Sequence, residues 1–497
     1  MGCKHAKVYD GEKDNKKIEG RAASSFHQAL VQEHNEGVRI DDVYAIEWDD
    51  NKALGSGATS TVRMCTHKVS GEVYALKTIQ LNRLTTDMRK SLLTEVEIMK
   101  QLDHPNIIKL LETYVDFHRL YIIMECCTGG ELFDKLYEQP NNRFAEAECV
   151  NMGIKMVSSL KYLHDNNIFH RDLKLENFIF TRKDGGGEIK MIDFGMSLNY
   201  LEGQNFNSTC GTCYYMAPEV IDKSVPYTEA CDMWSMGVIM YMLLSGIVPF
   251  GGRTDEEIQA KALVGKYSFL QKKWTGISEK AKSFVSDLLV KDPTKRMTAT
   301  DALKHAFLHN NTDSSIKHTD SEVLEKAEQE IHCITNLKQF KKFGLFKRAA
   351  LAAIAFTLGE NEISKMRDTF HKLDVEKNGV ITYEEFQIVM HEHGVMEDTE
   401  CKRIFAAMDQ DHMGVVKYSE FLAACVDEKT FSDEKRMLDA FNRLDIDKSG
   451  TISRENLKTF LGDIYSEEAF ERLFAEVDED KTGEIKYHEF KKAVACQ

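Results

Sequence analysis

One short segment contains the carboxylate of Asp172, the ammonium of Lys174 and the amide of Asn177. It covers residues 169–177, with the sequence Phe-His-Arg-Asp-Leu-Lys-Leu-Glu-Asn. A further carboxylate, Asp193, opens the sequence Asp-Phe-Gly downstream. This pattern is typical of phosphoryl transfer, in which one Asp accepts a hydroxyl proton while an Asn and a second Asp hold Mg²⁺. Such chemistry depends mainly on positioning and on neutralising negative charge.

Two upstream segments could bind the phosphates. Residues 54–62, Leu-Gly-Ser-Gly-Ala-Thr-Ser-Thr-Val, read as strand, tight turn and strand, and the glycines let the backbone approach phosphate without a Cβ. Lys77 follows in the alternating strand Tyr74-Ala75-Leu76-Lys77. Each signal alone is ordinary, because Gly-Ser-Gly also makes plain hairpins and a strand lysine often snorkels. Glu95 on a following amphipathic helix is the expected partner of Lys77, with Glu97 as the alternative.

With Asp193-Phe194-Gly195 and Ala217-Pro218-Glu219, these segments stand in protein-kinase order, and residues 48–308 resemble that family. The resemblance implies a bilobal α+β fold, Asp172 as general base, Lys174 as support for the transferred phosphoryl group and a Lys77–Glu95 ion pair. It implies Mg²⁺ on Asn177 and Asp193. It also implies an ATP site made of Leu54, Gly55, Ser56, Gly57, Ala58, Thr59, Val62, Ala75, Lys77, Glu125, Cys127, Asn177 and Asp193.

Several other residues refine the kinase resemblance. Lys174 with Asn177, and Thr212 after Gly211, indicate Ser/Thr specificity. Glu131 and Glu176 could receive an Arg three residues before the target hydroxyl, although both could be ordinary solvated carboxylates. The resemblance assigns structural roles to a Glu219–Arg296 pair and to Asp232 beneath the catalytic loop. The hydroxyls Ser208 and Thr209 lie where many kinases are phosphorylated.

Four acidic loops repeat in the C-terminal third of the chain. Residues 374–385, 409–420, 445–456 and 478–489 each begin with Asp and carry Gly at position 6. Repetition every 33 to 36 residues, with carboxylates at alternate positions between helical segments, is the EF-hand pattern for Ca²⁺. The sequence therefore predicts an all-α, calmodulin-like domain over residues 359–497.

The four loops differ in their ligands. The fourth is complete and the first nearly so, whereas Met413 and Lys417 weaken the second, and Asn456 replaces the bidentate Glu of the third. A weak loop could instead serve as the structural partner of a competent neighbour. The expected ligands are Asp374, Glu376, Asn378, Val380 and Glu385; Asp409, Asp411 and Glu420; Asp445, Asp447 and Ser449; and Asp478, Asp480, Thr482, Glu484 and Glu489.

Residues 309–358 connect the two predicted domains. The spacing of Ile331, Ile334, Leu337 and Phe340 predicts one apolar helix face, and a group of basic residues follows, which is typical of a calmodulin target. A helix packed permanently against the kinase is the alternative. Gly344 is expected to break or kink the helix.

Composition limits the remaining functions. A net charge of −16 argues against a nucleic-acid surface. Twelve Cys without paired spacing indicate a reducing, cytoplasmic compartment, and no apolar run is long enough to span a bilayer. In the arm 1–47, Gly2 and Cys3 suggest myristoylation and palmitoylation, which would attach the protein to membranes. Ala6 stands where Ser or Thr is usual, so a solvated arm is the alternative.

A kinase region, a junction and four EF-hands together resemble the calcium-dependent protein kinases of plants and protists. That resemblance implies a monomeric Ser/Thr kinase that uses ATP, Mg²⁺ and Ca²⁺, acts on protein substrates, and is inhibited by its junction until Ca²⁺ releases it. Two alternatives remain: a calcium-responsive scaffold without turnover, and a constitutive kinase with an attached calcium buffer. Intact Asp172 and Asp193 disfavour the first.

Overall fold

The computed structural model describes residues 26–34, 38–57, 59–184, 187–199, 212–222, 228–309, 320–392, 397–461 and 467–495. The acylation prediction at Gly2 and Cys3 and the residues Ala58, Ser208, Thr209 and Gly211 lie outside those ranges. Among the helices described, none combines the length and the apolar character needed to cross a membrane.

The N-terminal lobe is a seven-stranded sheet in the order β1-β6-β7-β5-β4-β2, with β3 beside β4. Strands β4 and β5 are long and rich in β-branched residues, and helix α3 begins where the Thr85 hydroxyl accepts the Met88 N–H. The elements are α1 (Phe26–Leu30), β1 (Gln32–His34), α2 (Ile40–Val43), β2 (Tyr44–Ile46), β3 (Gly55–Ser56), β4 (Ser60–His67), β5 (Val73–Gln80), α3 (Thr86–Gln101), β6 (Leu110–Val115) and β7 (Arg119–Glu125).

The C-terminal lobe of the kinase region is mainly helical. Helix α7 is mostly apolar and is buried from Cys231 to Ser245, as expected for the centre of a large lobe, and it is capped at its C-terminal end by Gly246 with φ 73°. Its elements are β8 (Gly130–Glu131), α4 (Leu132–Glu138), α5 (Glu146–Asp165), β9 (Ile168–Phe169), β10 (Phe178–Phe180), β11 (Ile189–Met191), β12 (Leu198–Asn199), α6 (Pro218–Ile221), α7 (Ala230–Ser245), α8 (Asp255–Val264), α9 (Glu279–Leu288), α10 (Ala299–Lys304) and α11 (Ala306–His309).

The junction forms two helices, α12 (Asp320–Phe340) and α13 (Leu345–Phe356), and Gly344 begins the second, which confirms the predicted break. The predicted stripe is partly wrong. Leu337 and Phe340 are buried, but Ile331 is 65% exposed. The buried face runs instead through Cys333, Asn336, Leu337 and Phe340, because this spacing follows the helical period more closely.

The C-terminal region is all-α apart from short strands between paired loops. Strand β13 pairs with β14 and β15 pairs with β16, each antiparallel, so the loops form two pairs. The elements are α14 (Glu360–Leu373), β13 (Val380–Thr382), α15 (Tyr383–Glu392), α16 (Asp398–Met408), β14 (Val415–Lys417), α17 (Tyr418–Cys425), α18 (Glu428–Phe431), α19 (Glu434–Leu444), β15 (Ile452–Ser453), α20 (Arg454–Leu461), α21 (Glu467–Val477), β16 (Glu484–Ile485) and α22 (Tyr487–Ala495).

The EF-hand region encloses the junction. Helix α13 packs against α17, α19 and α22, while α12 packs against α14, α16 and α17. From Phe346 to Phe356, every α13 side chain except the half-buried Arg348 is buried. An Ala-rich helix in this position lets surrounding helices approach closely on several sides. The structure therefore places the second junction helix in the core of the C-terminal region.

The EF-hand region also packs on the kinase region. The Ser419 hydroxyl donates to Asp103 Oδ2 at 2.6 Å, and Arg443 pairs with Glu112 of β6 at 2.8 Å. The short strand β1, formed by the N-terminal arm, adds to β6 in parallel, and Gln32 donates to the carbonyl of Arg443. The N-terminal arm thus contacts both regions.

Candidate functional site

Lys77 and Glu95 form the ion pair expected from the sequence. Their Nζ and Oε1 atoms are 2.9 Å apart, and Glu95 is buried. Burial lowers the pKa of Lys77, but the carboxylates of Glu95 and Asp193 outweigh it and keep that pKa above its usual value. The alternative partner, Glu97, instead pairs with Lys100. A lysine held in this way can present a fixed positive charge to phosphate oxygens.

Asp172 lies in a network of polar groups. Its Oδ2 accepts from Lys174 at 2.7 Å and its Oδ1 from the Thr212 hydroxyl at 3.2 Å. Its backbone carbonyl accepts from the Asn177 amide at 2.7 Å. The two oxygens therefore have fixed directions, as a general base requires.

The backbone of the catalytic loop is supported from below by Asp232. Its buried carboxylate accepts from the backbone N–H groups of His170 at 2.9 Å and Arg171 at 2.8 Å. Arg171 has φ 67° and Asp193 has φ 66°, and such left-handed backbone at non-glycine residues is concentrated at functional sites. Phe194 is fully buried against the His170 ring. The structural role expected for Asp232 agrees with these contacts.

The Glu219–Arg296 pair is also formed. Arg296 donates from both terminal nitrogens to the two Glu219 oxygens, at 2.5 and 2.9 Å, and both side chains are buried. This bidentate pair fixes the segment that follows Thr212 against the helical lobe.

The expected nucleotide site lies between the lobes. Strand β3 pairs Gly55 with Val62, and the turn closes with the Gly57 N–H donating to the Ser60 carbonyl at 2.8 Å. Ala75 lies opposite Met124 on the neighbouring strand. The Glu125 carboxylate is already occupied by Lys190 at 2.8 Å, so that only its backbone is offered to an adenine.

The four acidic loops share one geometry. The position-1 Asp accepts from the backbone N–H groups of positions 5 and 6; in the fourth loop, Thr482 and Gly483 donate to Asp478 at 3.1 and 2.7 Å. The position-6 glycines all have φ between 79° and 86°, which an L side chain rarely adopts. At position 12, the Glu385 carboxylate accepts two backbone N–H groups, whereas the carboxylates of Glu420 and Glu489 accept three each. The Asn456 amide oxygen of the third loop accepts one, from Ser453.

Two loops gather three carboxylates within 4.8 Å of one another: Asp409, Asp411 and Glu420 in the second, and Asp478, Asp480 and Glu489 in the fourth. Burial raises the pKa of Glu420 to about 8, and burial raises that of Asp374 in the first loop to about 6. A divalent cation would offset the cost of ionising such buried groups. Carboxylate and carbonyl oxygens are the ligands that Ca²⁺ prefers.

Family models match both regions. A model of the protein kinase domain matches residues 48–308, and a model of the EF-hand domain pair matches residues 363–426 and 434–495. The chain is 34% identical over 474 residues to calcium-dependent protein kinase 5 of Plasmodium falciparum, covering 94% of this chain and 80% of that protein. It is 34% identical over 478 residues to calcium-dependent protein kinase 11 of Oryza sativa, covering 95% and 79%. The chain belongs to the calcium-dependent protein kinases.

This membership confirms the α+β kinase fold followed by an all-α EF-hand region and makes the chain a serine/threonine protein kinase. The kinase domain implies ATP with Mg²⁺, and the EF-hand pairs imply Ca²⁺. Calcium-dependent protein kinase 7 of Arabidopsis thaliana is also 34% identical, over 457 residues that cover 90% of this chain and 82% of that protein.

One residue of the fourth calcium loop and the contacts between the two regions were not identified from the sequence. Lys486 at position 9 of the fourth loop contacts Asp480, as Lys417 contacts Asp411 in the second. Counting loop positions reveals Lys486, so the fourth and second loops share one irregularity. The contacts Asp103–Ser419 and Glu112–Arg443 had no local signal, because their partners are more than 300 residues apart.

Proposed function

We propose that Ca²⁺ activates this serine/threonine kinase by allowing the EF-hand region to hold the junction helices away from the catalytic cleft. At low Ca²⁺ the junction, residues 309–358, blocks the kinase. The observation that carries the proposal is the burial of α13 among α17, α19 and α22 while Lys77, Glu95 and Asp172 are in contact with their partners. A junction enclosed in this way cannot also occupy the cleft.

Each predicted catalytic residue has a role that its contacts support. Asp172 accepts the proton of the substrate hydroxyl, and Lys174, 2.7 Å from it, neutralises charge on the transferred phosphoryl group. Lys77, fixed by Glu95, binds phosphate oxygens. Asn177 and Asp193 would hold Mg²⁺, which supplies further neutralisation when bound with ATP. The glycine turn and the hinge at Glu125 and Cys127 would bind the rest of the nucleotide.

The substrate is a protein segment with Arg three residues before the target Ser or Thr. Burial, then the neighbouring carboxylates Asp134 and Glu176, raises the pKa of Glu131. This rise indicates an excess of negative charge that a guanidinium would relieve. Arrayed peptides test it: Glu131→Gln should reduce the preference for Arg, and an unchanged preference contradicts this part of the proposal.

The calcium sites are the four loops, with the ligands predicted from the sequence. A shift from 1:99 to 99:1 needs about 5.5 kcal/mol of differential binding. Two to four ions would each supply ~1.4–2.8 kcal/mol of it, which sensor loops with Kd of about 10⁻⁷–10⁻⁵ M can provide. The kinase acts as a monomer in the cytoplasm, and acylation of Gly2 and Cys3 would attach it to membranes.

The deciding experiment measures phosphotransfer to an Arg-containing peptide in excess EGTA and in micromolar Ca²⁺. We expect up to about a hundredfold more activity with Ca²⁺. Glu489→Gln should raise the Ca²⁺ concentration needed for half activation, whereas Glu479→Gln, at the non-ligating position 2 of the same loop, should not. Equal rates with and without Ca²⁺ would favour the constitutive kinase with a buffer.

A further inference from the structure

Two thiols from different regions lie against each other between the junction and the second EF-hand. Cys333 is on α12, and Cys425 is the last residue of α17. Both are buried, at 4% and 3% exposure, and the Cys425 thiol hydrogen-bonds the Cys333 sulfur. A disulfide can form only where two cysteines are close enough for their sulfurs to bond without backbone movement, and two thiols in hydrogen-bond contact are candidates for it.

The backbone near the pair is also fixed. The Asn336 amide, one helical turn after Cys333, donates to the Cys425 carbonyl at 2.9 Å in a buried contact. The Thr369 hydroxyl of α14 also hydrogen-bonds the Cys333 sulfur. These contacts hold the two cysteines in register while α12 stays in the EF-hand region.

Both cysteines border one cavity, which gives a small oxidant a route toward them. Cys333 and Cys425 line a cavity of about 790 Å³ whose wall also includes His332, Met366 and Arg436. The hydrogen bond from Cys425 holds the pKa of the Cys333 thiol below its ordinary value, whereas burial raises that of Cys425. Cys333 is therefore the better nucleophile, since the thiolate is the reactive form.

We propose that Cys333 and Cys425 are a reversible modification site, at which hydrogen peroxide forms a disulfide that locks the junction to the second EF-hand. The Cys333 thiolate attacks one peroxide oxygen, the O–O bond breaks, and a sulfenic acid and water result once a proton is taken up. The Cys425 thiol then attacks the sulfenic sulfur and releases a second water. In sum, two thiols and one peroxide give one disulfide and two waters.

The regulatory consequence rests on the proposed function, because it assumes that the junction must leave the EF-hand region to inhibit the kinase. A covalent bond between α12 and α17 prevents that movement. The oxidised enzyme therefore stays active after Ca²⁺ is removed, and a thiol reductant restores inhibition. The disulfide itself does not depend on that assumption.

The test oxidises the full-length protein with hydrogen peroxide in Ca²⁺, blocks free thiols and maps disulfide-linked peptides by mass spectrometry. Activity is then measured in EGTA and in Ca²⁺ on the same sample, so that damage to other residues cancels in the ratio. We expect a Cys333–Cys425 peptide and an EGTA-to-Ca²⁺ activity ratio about tenfold or more above that of the reduced protein.

Cys333→Ser and Cys425→Ser should each abolish the linked peptide and the change in ratio. Cys401→Ser removes another buried thiol of the EF-hand region and should change neither. Absence of the disulfide-linked peptide from the oxidised wild type would overturn the modification site. If the disulfide forms but EGTA still abolishes kinase activity, the locking role is overturned. If the reduced enzyme is equally active in EGTA and in Ca²⁺, the proposed function is contradicted instead. The peptide map would still show whether the disulfide forms.

Discussion

Asp172 presents its two oxygens to different partners, Lys174 at 2.7 Å and Thr212 at 3.2 Å. Replacing Asp172 with Asn keeps the shape but removes the group that accepts the proton. Because general base catalysis contributes about 10²–10⁴-fold, we expect Asp172→Asn to lower kcat by that factor. Steady-state phosphotransfer to a Ser peptide measures it.

The same variant should leave Ca²⁺ binding unchanged in isothermal titration, since the loops lie in another region. Asp165→Asn is the matched control, because Asp165 is an exposed carboxylate that pairs with Lys161 at the end of α5. Retained turnover in Asp172→Asn would show that another group is the base.

At the scale of elements, α13 is the helix that the EF-hand region encloses. Leu351, at its centre, is 1% exposed, so Leu351→Ala removes buried methyl groups and leaves a cavity that costs about 2–5 kcal/mol. Shared between two activating ions, this cost is about 1–2.5 kcal/mol per ion, so we expect the half-activating Ca²⁺ concentration to rise roughly five- to sixtyfold, since 1.4 kcal/mol is a factor of ten in an equilibrium constant. Activity measured across buffered Ca²⁺ concentrations tests this.

Ile331→Ala provides the control for that measurement. Ile331 belongs to the same junction but is 65% exposed, and exposed substitutions usually change stability by less than about 0.5 kcal/mol. An equal rise of the half-activating Ca²⁺ concentration in both variants would mean that α13 is not the helix that the EF-hand region binds.

Elements with local signals were predictable, whereas their assembly was not. The loop at Asp172 and the glycines at position 6 of the four acidic loops are defined by short spacings, because backbone geometry there depends on neighbouring residues. Docking of the two regions depends on side chains such as Asp103 and Ser419, which nothing local connects. The junction was predictable in part. Its break at Gly344 followed from the sequence, but the face of α12 that is buried did not, because the partner helices determine which side chains are covered.

At the scale of the whole molecule, a buried ion pair between Arg443 and Glu112 joins the EF-hand region to the kinase sheet. Arg443 contacts Glu112 at 2.8 Å and lies over the Phe356 ring, and both charged side chains are buried. Glu112→Gln removes the carboxylate that pairs directly with the buried guanidinium and leaves it, among the described acidic residues, only the electrostatic interaction with Asp439, so we expect docking to weaken by about 3–5 kcal/mol. Hydrogen exchange in α19 and β6 measures the loss of contact.

The exposed pair Arg454–Glu471 has the same chemistry without burial. Glu471→Gln should therefore change exchange little, since exposed pairs contribute about 0–1 kcal/mol. If both variants behaved alike, burial of the Arg443 pair would not explain the docking.

Acid should also separate the two regions. His104 packs under Gly379 of the first loop, and His371 of α14 faces Lys155 and Glu188 of the kinase. Burial, despite the opposing charge of Glu188, lowers the pKa of His371 to about 3, and burial with the neighbouring His371 and Lys190 lowers that of His104. Both rings are therefore neutral when docked.

Because the docked pKa values lie below the ordinary 6.5, the histidines favour docking fully above that pH and progressively less as pH falls toward the docked values. Each His exposed by undocking should weaken docking by about 1.0 kcal/mol, or roughly five- to sixfold, between pH 6.5 and 5.5, because a free imidazole is already half protonated at pH 6.5. Small-angle scattering at saturating Ca²⁺ measures the opening. His371→Asn should reduce this pH dependence, whereas His391→Asn, in the same EF-hand but 46% exposed, should not. Equal pH dependence in both variants would assign the acid effect to the carboxylates of the calcium loops.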